Sequence, residues 1–196
     1  MDANLNFSHF HWLNKPNKFT LSDDQLMIVT DPETDFWQRT HYGFQNDNGH
    51  AFLMAKEGDF TFEVKTKYAS VNQYDQCGIL LYQDSDNWVK ASVEYENQQF
   101  ARLGSVVTNL GFSDWATTDI SSEISTMWYR ISRNGADFLI ENSLDGEVFQ
   151  QMRIFHLHQP IEIARVGVYA CSPLESSFKA IFSNFQLGSC IWHKHQ

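Results

Sequence analysis

The 196-residue chain sets 14 Lys and Arg against 24 Asp and Glu, a formal net charge of −10. That balance argues against a nucleic-acid-binding protein, whose affinity rests on Lys and Arg contacts to phosphate, and the scattered basic residues argue against an anionic membrane surface. Hydrophobic residues make up 42% and lean towards aromatics, with 16 Phe, 7 Tyr and 6 Trp. No window keeps the i, i+3, i+4, i+7 apolar spacing of an amphipathic helix, so the chain reads as all-β.

The length suits one sizeable core, and a single domain over residues 1–196 is expected. Cys77, Cys171 and Cys190 form an odd set without a C-x-x-C pair, which fits reduced thiols better than a disulfide framework. The first residues hold no basic region followed by an apolar run, and no apolar run approaches the ~20 residues of a membrane helix. A cytoplasmic protein, as a monomer or homodimer, is the expectation.

In chain order, residues 26–30, 36–42 and 51–55 read as strands. Residues 60–68 form the clearest half-buried strand, with Glu63, Lys65 and Lys67 opposite aromatic and β-branched positions. Residues 75–82 set Cys77, Ile79 and Leu81 against Gln76, Gly78, Leu80 and Tyr82. The turn Asp84-Ser85-Asp86-Asn87 then predicts an antiparallel hairpin with the strand over 87–96. Further strands are expected over 100–108, 127–133, 137–142, 148–154, 163–171 and 178–187, with Asn134-Gly135 and Leu144-Asp145-Gly146 as turn signals. Residues 111–115 read as a loop, and 117–122 as a short helical turn. Two stacked antiparallel sheets with jelly-roll connectivity are the simplest arrangement.

The strand over 87–96 alternates without a break. Val89, Ala91, Val93 and Tyr95 face a core, while Trp88, Lys90, Ser92, Glu94 and Glu96 share the opposite face. An indole with mixed charge on one face suits the floor of a polar-ligand groove; a solvated polar strand is the plainer reading. Residues two apart on a strand lie about 6.6 Å apart at Cα. Glu94 and Glu96 can therefore approach the roughly 5 to 5.5 Å carboxyl spacing of retaining glycosidases.

In the segment 34–43, period two places Trp37, Arg39 and His41 on one side, where a ring, a guanidinium fork and an imidazole can hold a sugar or an anionic group. An Arg stacked on a Trp at a strand edge is the structural alternative. Trp115, in its predicted loop, offers a third stacking ring. Gln76, Arg130 and Tyr169 join the candidates because alternation sets them opposite core-facing neighbours. The pairs His9/His11, His156/His158 and His193/His195 have no Cys or carboxylate at ligand-like spacing, and Asp84-Ser85-Asp86-Asn87 lacks the glycine and terminal Glu of an EF-hand loop. No metal and no cofactor is expected.

Several segments carry a resemblance. They are Thr34-Asp35-Phe36-Trp37-Gln38-Arg39-Thr40-His41-Tyr42-Gly43-Phe44 with Asp47-Asn48-Gly49-His50, Tyr74-Asp75-Gln76-Cys77-Gly78, and Asp86-Asn87-Trp88-Val89-Lys90-Ala91-Ser92-Val93-Glu94-Tyr95. Val106-Val107-Thr108-Asn109, Phe112-Ser113-Asp114-Trp115, Ser143-Leu144-Asp145-Gly146 and Gly167-Val168-Tyr169-Ala170-Cys171-Ser172-Pro173 follow in order. Over nearly its whole length the chain resembles the domain-of-unknown-function family that includes the yeast regulation-of-enolase protein. The resemblance implies a concanavalin A-like lectin/glucanase jelly-roll sandwich, with a concave sheet where relatives of the fold bind or cleave polysaccharide. The family has no established reaction. Laminarinase-like glucanases of this fold carry Glu-x-Asp-x-x-Glu or Glu-x-Asp-x-Glu on one strand; Glu94-Tyr95-Glu96 is only a fragment of that, with Ser92 where another carboxylate would sit.

Three functions follow as expectations. The first is a lectin-like binding module for an oligosaccharide or other small polar ligand. Trp37, Trp88 and Trp115 would stack on it, and Arg39, His41, Gln76, Lys90, Glu94, Arg130 and Tyr169 would supply polar contacts. The second is a glycoside hydrolase using Glu94, with Glu96 or Asp114 as partner. The third is a regulatory protein-interaction domain linked to central carbon metabolism.

Overall fold

The computed structural model describes residues 5–159 and 162–192. After a 3-10 turn at Phe7–His9, the described residues form sixteen strands. The first eight are β1 Phe10–Leu13, β2 Lys18–Leu21, β3 Gln25–Val29, β4 Phe36–Gln38, β5 Gln45–Asp47, β6 His50–Glu57, β7 Phe60–Tyr68 and β8 Gln76–Asp84. The rest are β9 Asn87–Tyr95, β10 Phe100–Asn109, β11 Phe112–Ser121, β12 Thr126–Asn134, β13 Asp137–Ser143, β14 Gln150–His156, β15 Ile163–Cys171 and β16 Lys179–Gly188. A front sheet runs β1-β6-β15-β8-β9-β10-β11, a back sheet runs β14-β13-β12-β7-β16-β3-β2, and β4 pairs with β5 as a separate ribbon. All ladders are antiparallel, and β15 enters between β6 and β8 from far along the chain. The fold is the all-β sandwich of two antiparallel sheets that the alternation predicts.

The main core lies between the sheets. Cys77, Ile79 and Leu81 of β8 and Val89, Ala91 and Val93 of β9 face Phe60, Phe62 and Val64 of β7 and Tyr129 and Ile131 of β12. The predicted hairpin of β8 and β9 is present, its turn closed by Asp84 Oδ1, which accepts from the backbone N–H of Asp86 and from Asn87 Nδ2. Among the described residues no helix is long and apolar enough to cross a membrane.

Three local expectations change. Residues 111–115 and 117–122, read as loop and helical turn, belong mostly to β11, which pairs with all of β10. Beyond Trp115 this edge strand is largely exposed on both faces, so it has no hydrophobic alternation to reveal it. The strand expected over 36–42 stops at Gln38, because Arg39, His41 and Gly43 take φ of 57°, 62° and 77° and reverse the chain. The short strands β1, β2 and β5 went unpredicted; at three or four residues each they owe their form to their pairing partners.

Candidate functional site

The front sheet is covered on its outer face as well. The β4–β5 ribbon lays Phe36 and Trp37 onto Leu80, Tyr82, Trp88, Val106 and Tyr169, forming a second apolar cluster. Trp88 is fully buried in it, its indole N–H donating to Ser85 O at 3.1 Å and its ring 5.8 Å from Phe36. The alternation sets Trp88 on the outer face as expected, but the ribbon closes over it, and no ligand can stack there.

Where the ribbon ends, a cleft of about 540 Å³ opens on the same face. Its floor follows from strand register. Gln76 of β8, Glu94 of β9 and Arg102 of β10 lie side by side in one row; Gly78, Ser92 and Gly104 form the next, and Leu80, Lys90 and Val106 the one after. Trp37, Tyr42 and Phe44 rise from the ribbon on one side and Trp115 of β11 on the other, with Tyr74 and Leu174 at the rim. Trp37 and Trp115 meet edge to face at 6.4 Å, and Trp37 holds the ribbon turn by donating from Nε1 to Thr40 O at 3.0 Å. Gly104 permits this closure: a Cβ there would come within 3.0 Å of the Trp115 indole nitrogen.

The floor is charged and largely buried. Lys90, 5% exposed, donates to Asp35 Oδ1 at 3.2 Å and to Gln76 Oε1 at 2.9 Å. Gln76 Oε1 also accepts from the buried Tyr169 hydroxyl at 3.0 Å, and its Nε2 donates to Glu94 Oε2 at 2.8 Å and Tyr74 O at 3.3 Å. These partners fix the amide orientation of Gln76 and couple Lys90 to Glu94. Burial by itself pulls the Lys90 ammonium down, but Asp35, Cys171 and Glu94 outweigh it and the lysine pKa ends raised. Burial pushes the Glu94 carboxyl up to about 7; Lys90 and Arg102 oppose the rise, while Asp35 and Glu96 add to it. Glu96 is paired with Arg102 at 3.2 Å and accepts from Gln73 at 2.9 Å. Arg102 in turn lies 5.4 Å over the Trp115 ring.

Of the residues expected at a site, Trp37, Gln76, Lys90, Glu94 and Trp115 converge here, and Tyr169 supports them from beneath. Arg39, His41 and Arg130 do not. The positive φ at Arg39 swings its guanidinium to Asp86 and to Gly111 O, where the missing Cβ of Gly111 makes room. His41 is exposed on the turn beside Tyr42. Arg130 belongs to the back sheet, between Glu63 and Glu141 and under Phe149. Asp114, considered as a carboxylate partner for Glu94, is turned to Arg153 instead. Sequence reading missed Asp35, Tyr42, Phe44, Asn46 and Arg102 as cleft residues. Arg102 alone had a local signal, since a hairpin of β9 and β10 sets it opposite Glu94.

A second groove of about 460 Å³ lies between edge strands β11 and β14, but its one charged lining residue, Asp145, is committed to the turn at Glu147 and Val148. His156 pairs with Asp137 at 2.7 Å, and His193 and His195 lie outside the described residues. Among the described residues no group of three His, Cys, Asp or Glu is placed to hold a metal ion.

The chain is 34% identical over 185 residues to Regulation of enolase protein 1 of Saccharomyces cerevisiae, covering 94% of this chain and 91% of that one. The crystal structure of a functionally unknown protein from Saccharomyces cerevisiae superposes with a TM-score of 0.90 at 30% identity, covering 96% of this chain and 100% of that chain. The GH43 BlXynB protein from Bacillus licheniformis matches in fold, with a TM-score of 0.72 at 14% identity, over 96% of this chain but only 38% of its own. Residues 12–190 match the family described as Protein of unknown function (DUF1349), and the chain belongs to that family.

Proposed function

We propose that the front-sheet cleft is a saccharide-binding site and that the protein is a cytoplasmic, lectin-like binding module. One observation carries this reading: a buried charge network, Lys90–Asp35–Gln76–Glu94, forms the floor of a cleft walled by aromatic rings. Burying an ion pair is expensive, and a packed apolar pair in its place is often as stable or more so, so such a network is poorly explained by stability alone. Sugars present apolar ring faces and polar edges. Tyr42 and Trp115 suit the faces, and Ser92, Glu94 and Asn46 suit the hydroxyls. The cleft volume lies within the roughly 300–1,000 Å³ usual for small-molecule sites. Three free cysteines support the cytoplasmic setting. The GH43 likeness adds the fold and nothing about chemistry.

Calorimetric titration with a panel of neutral and charged oligosaccharides tests the proposal. At least one class is expected to bind, and Trp115→Ala is expected to weaken it by about tenfold or more, in line with loss of a stacking anchor. A panel that binds nowhere, or binding indifferent to Trp115→Ala, would overturn it.

The raised pKa of Glu94 favours a second reading, glycoside hydrolysis with Glu94 as proton donor. It needs a second carboxylate free to act, yet Glu96 is paired with Arg102 and Asp35 with Lys90. Release of reducing sugar from the same panel, lost in Glu94→Gln, would establish it over simple binding.

A further inference from the structure

The charges lining the cleft do not cancel evenly. Its two cations are committed, Lys90 to Asp35 and Arg102 to Glu96, each at 3.2 Å. The third carboxylate, Glu94, has an amide partner on Oε2 in Gln76 but no salt bridge, and its Oε1 takes no hydrogen bond from the described residues. That oxygen belongs to a half-buried residue on the lining of the cleft, which Trp37, Tyr42 and Trp115 also line.

We infer that the cleft selects a saccharide bearing a free ammonium group, an amino sugar, whose cation sits against Glu94 and the aromatic walls. The inference rests on the saccharide reading and narrows it. Aromatic faces attract cations through their quadrupole, most strongly where water is excluded, and a carboxylate without a salt bridge of its own adds a directed partner. A uronic acid or sugar phosphate would meet Asp35, Glu94 and Glu96, with both cations already paired, so anionic sugars are disfavoured. N-acylation removes the ligand's charge and leaves Glu94 desolvated without compensation.

The selectivity depends on pH. Glu94 is faced by Gln76 of β8, by Lys90 and Glu96 of its own strand, by Arg102 of β10, by Tyr169 and Cys171 of β15, by Asp35 before β4 and by Tyr74 before β8. Lys90, Tyr169 and Cys171 all have raised pKa values and keep their protons through neutrality. The Glu94 carboxyl, at about 7, is almost wholly protonated at about pH 5.5 and mostly ionised at about pH 7.5. An α-amino group of pKa roughly 7.7–8.0 is fully protonated at the lower pH and about two-thirds protonated at the higher, and a sugar amine flanked by hydroxyls lies no higher. Acidification therefore removes the protein's charge and leaves the ligand's.

The test is calorimetric titration of the full chain with glucosamine oligomers, N-acetylglucosamine oligomers of equal length, cello-oligomers and galacturonic acid oligomers, at about pH 5.5 and 7.5. At the higher pH the free amine is expected to bind about tenfold tighter than its N-acetylated counterpart, in line with a partly desolvated charge pair. The ratio should shrink on acidification and approach one in Glu94→Gln, with a thermal melt confirming that the variant is folded. Should that variant not fold, the pH dependence of the wild-type ratio decides alone. Equal affinity for amine and amide, a preference for galacturonate, or a ratio indifferent to pH overturns the inference and leaves the saccharide site standing. Failure of every sugar to bind removes the saccharide reading with it.

Discussion

Two charged clusters sit on the two sheets and differ in how they are closed. On the back sheet, Arg130 donates to Glu63 at 2.8 and 2.9 Å, approaches Glu141 at 3.7 Å, and carries the Phe149 ring 3.5 Å above its guanidinium. Carboxylates and an aromatic lid leave it saturated. On the front sheet, Lys90 and Gln76 are buried and Asp35 and Glu94 half-buried, but the aromatic groups stand back as walls and one carboxylate oxygen is left open. Similar residue types thus make a staple in one place and a receptor in the other. What separates them is whether the last acceptor is satisfied from within the fold.

Removing the front cation gives the largest contrast. Lys90→Ala leaves Asp35 partly buried without its counter-charge and is expected to destabilise the protein by about 3–5 kcal/mol in urea unfolding. The paired change Lys90→Met with Asp35→Asn should restore most of that stability. If Lys90→Ala proves neutral, the front network is solvated and its resemblance to the back cluster disappears. On the back sheet, Arg130→Met strands Glu63, which is 4% exposed, and should cost about 2–4 kcal/mol. Binding at the cleft should be unchanged, because Arg130 lies on the other sheet; a binding defect in that folded variant would contradict the division of roles.

The smallest effect tests the open carboxylate through pH. The folded pKa of Glu94, about 7, stands above its ordinary value of 4.5. The folded chain therefore keeps a proton that the unfolded chain releases, and this contribution to stability is full below about 4.5 and lost as pH rises through about 7. Glu94→Gln has no charge to bury. It should exceed the wild type by about 1–3 kcal/mol near pH 8 and match it near pH 4, read from urea midpoints at the two pH values. Equal stability at both would mean that the Glu94 carboxyl is fully solvated.

Much of the fold was legible because β alternation is local. Cys77, Ile79 and Leu81, then Val89, Ala91 and Val93, declare a core face within a few residues, and they occupy it. The site was half legible for the same reason: Lys90 and Glu94 share a face by period two, and Gln76 joins them through hairpin register. Period two failed at Arg39 and His41, where positive φ turned the chain in a way no side-chain pattern marks. It was correct but insufficient for Trp88 and Arg130, since facing outward from a sheet does not say what is laid on top. Asp35, Tyr42 and Phe44 became cleft residues only because the β4–β5 ribbon folds onto β8, β9, β10 and β15, all distant in the chain.

The sequence by itself determined most of the long strands, their inward faces and the shared face of Lys90, Ser92 and Glu94, because side-chain direction along a strand follows from backbone geometry. Tertiary structure decided which outward groups were buried and which were left open. The ribbon buries Trp88 and brings Asp35 to Lys90, while the Glu94 oxygen keeps an open side. Burial and counter-charge are sums over neighbours from distant strands, and they alone turn one glutamate among 24 acidic residues into a candidate ligand contact.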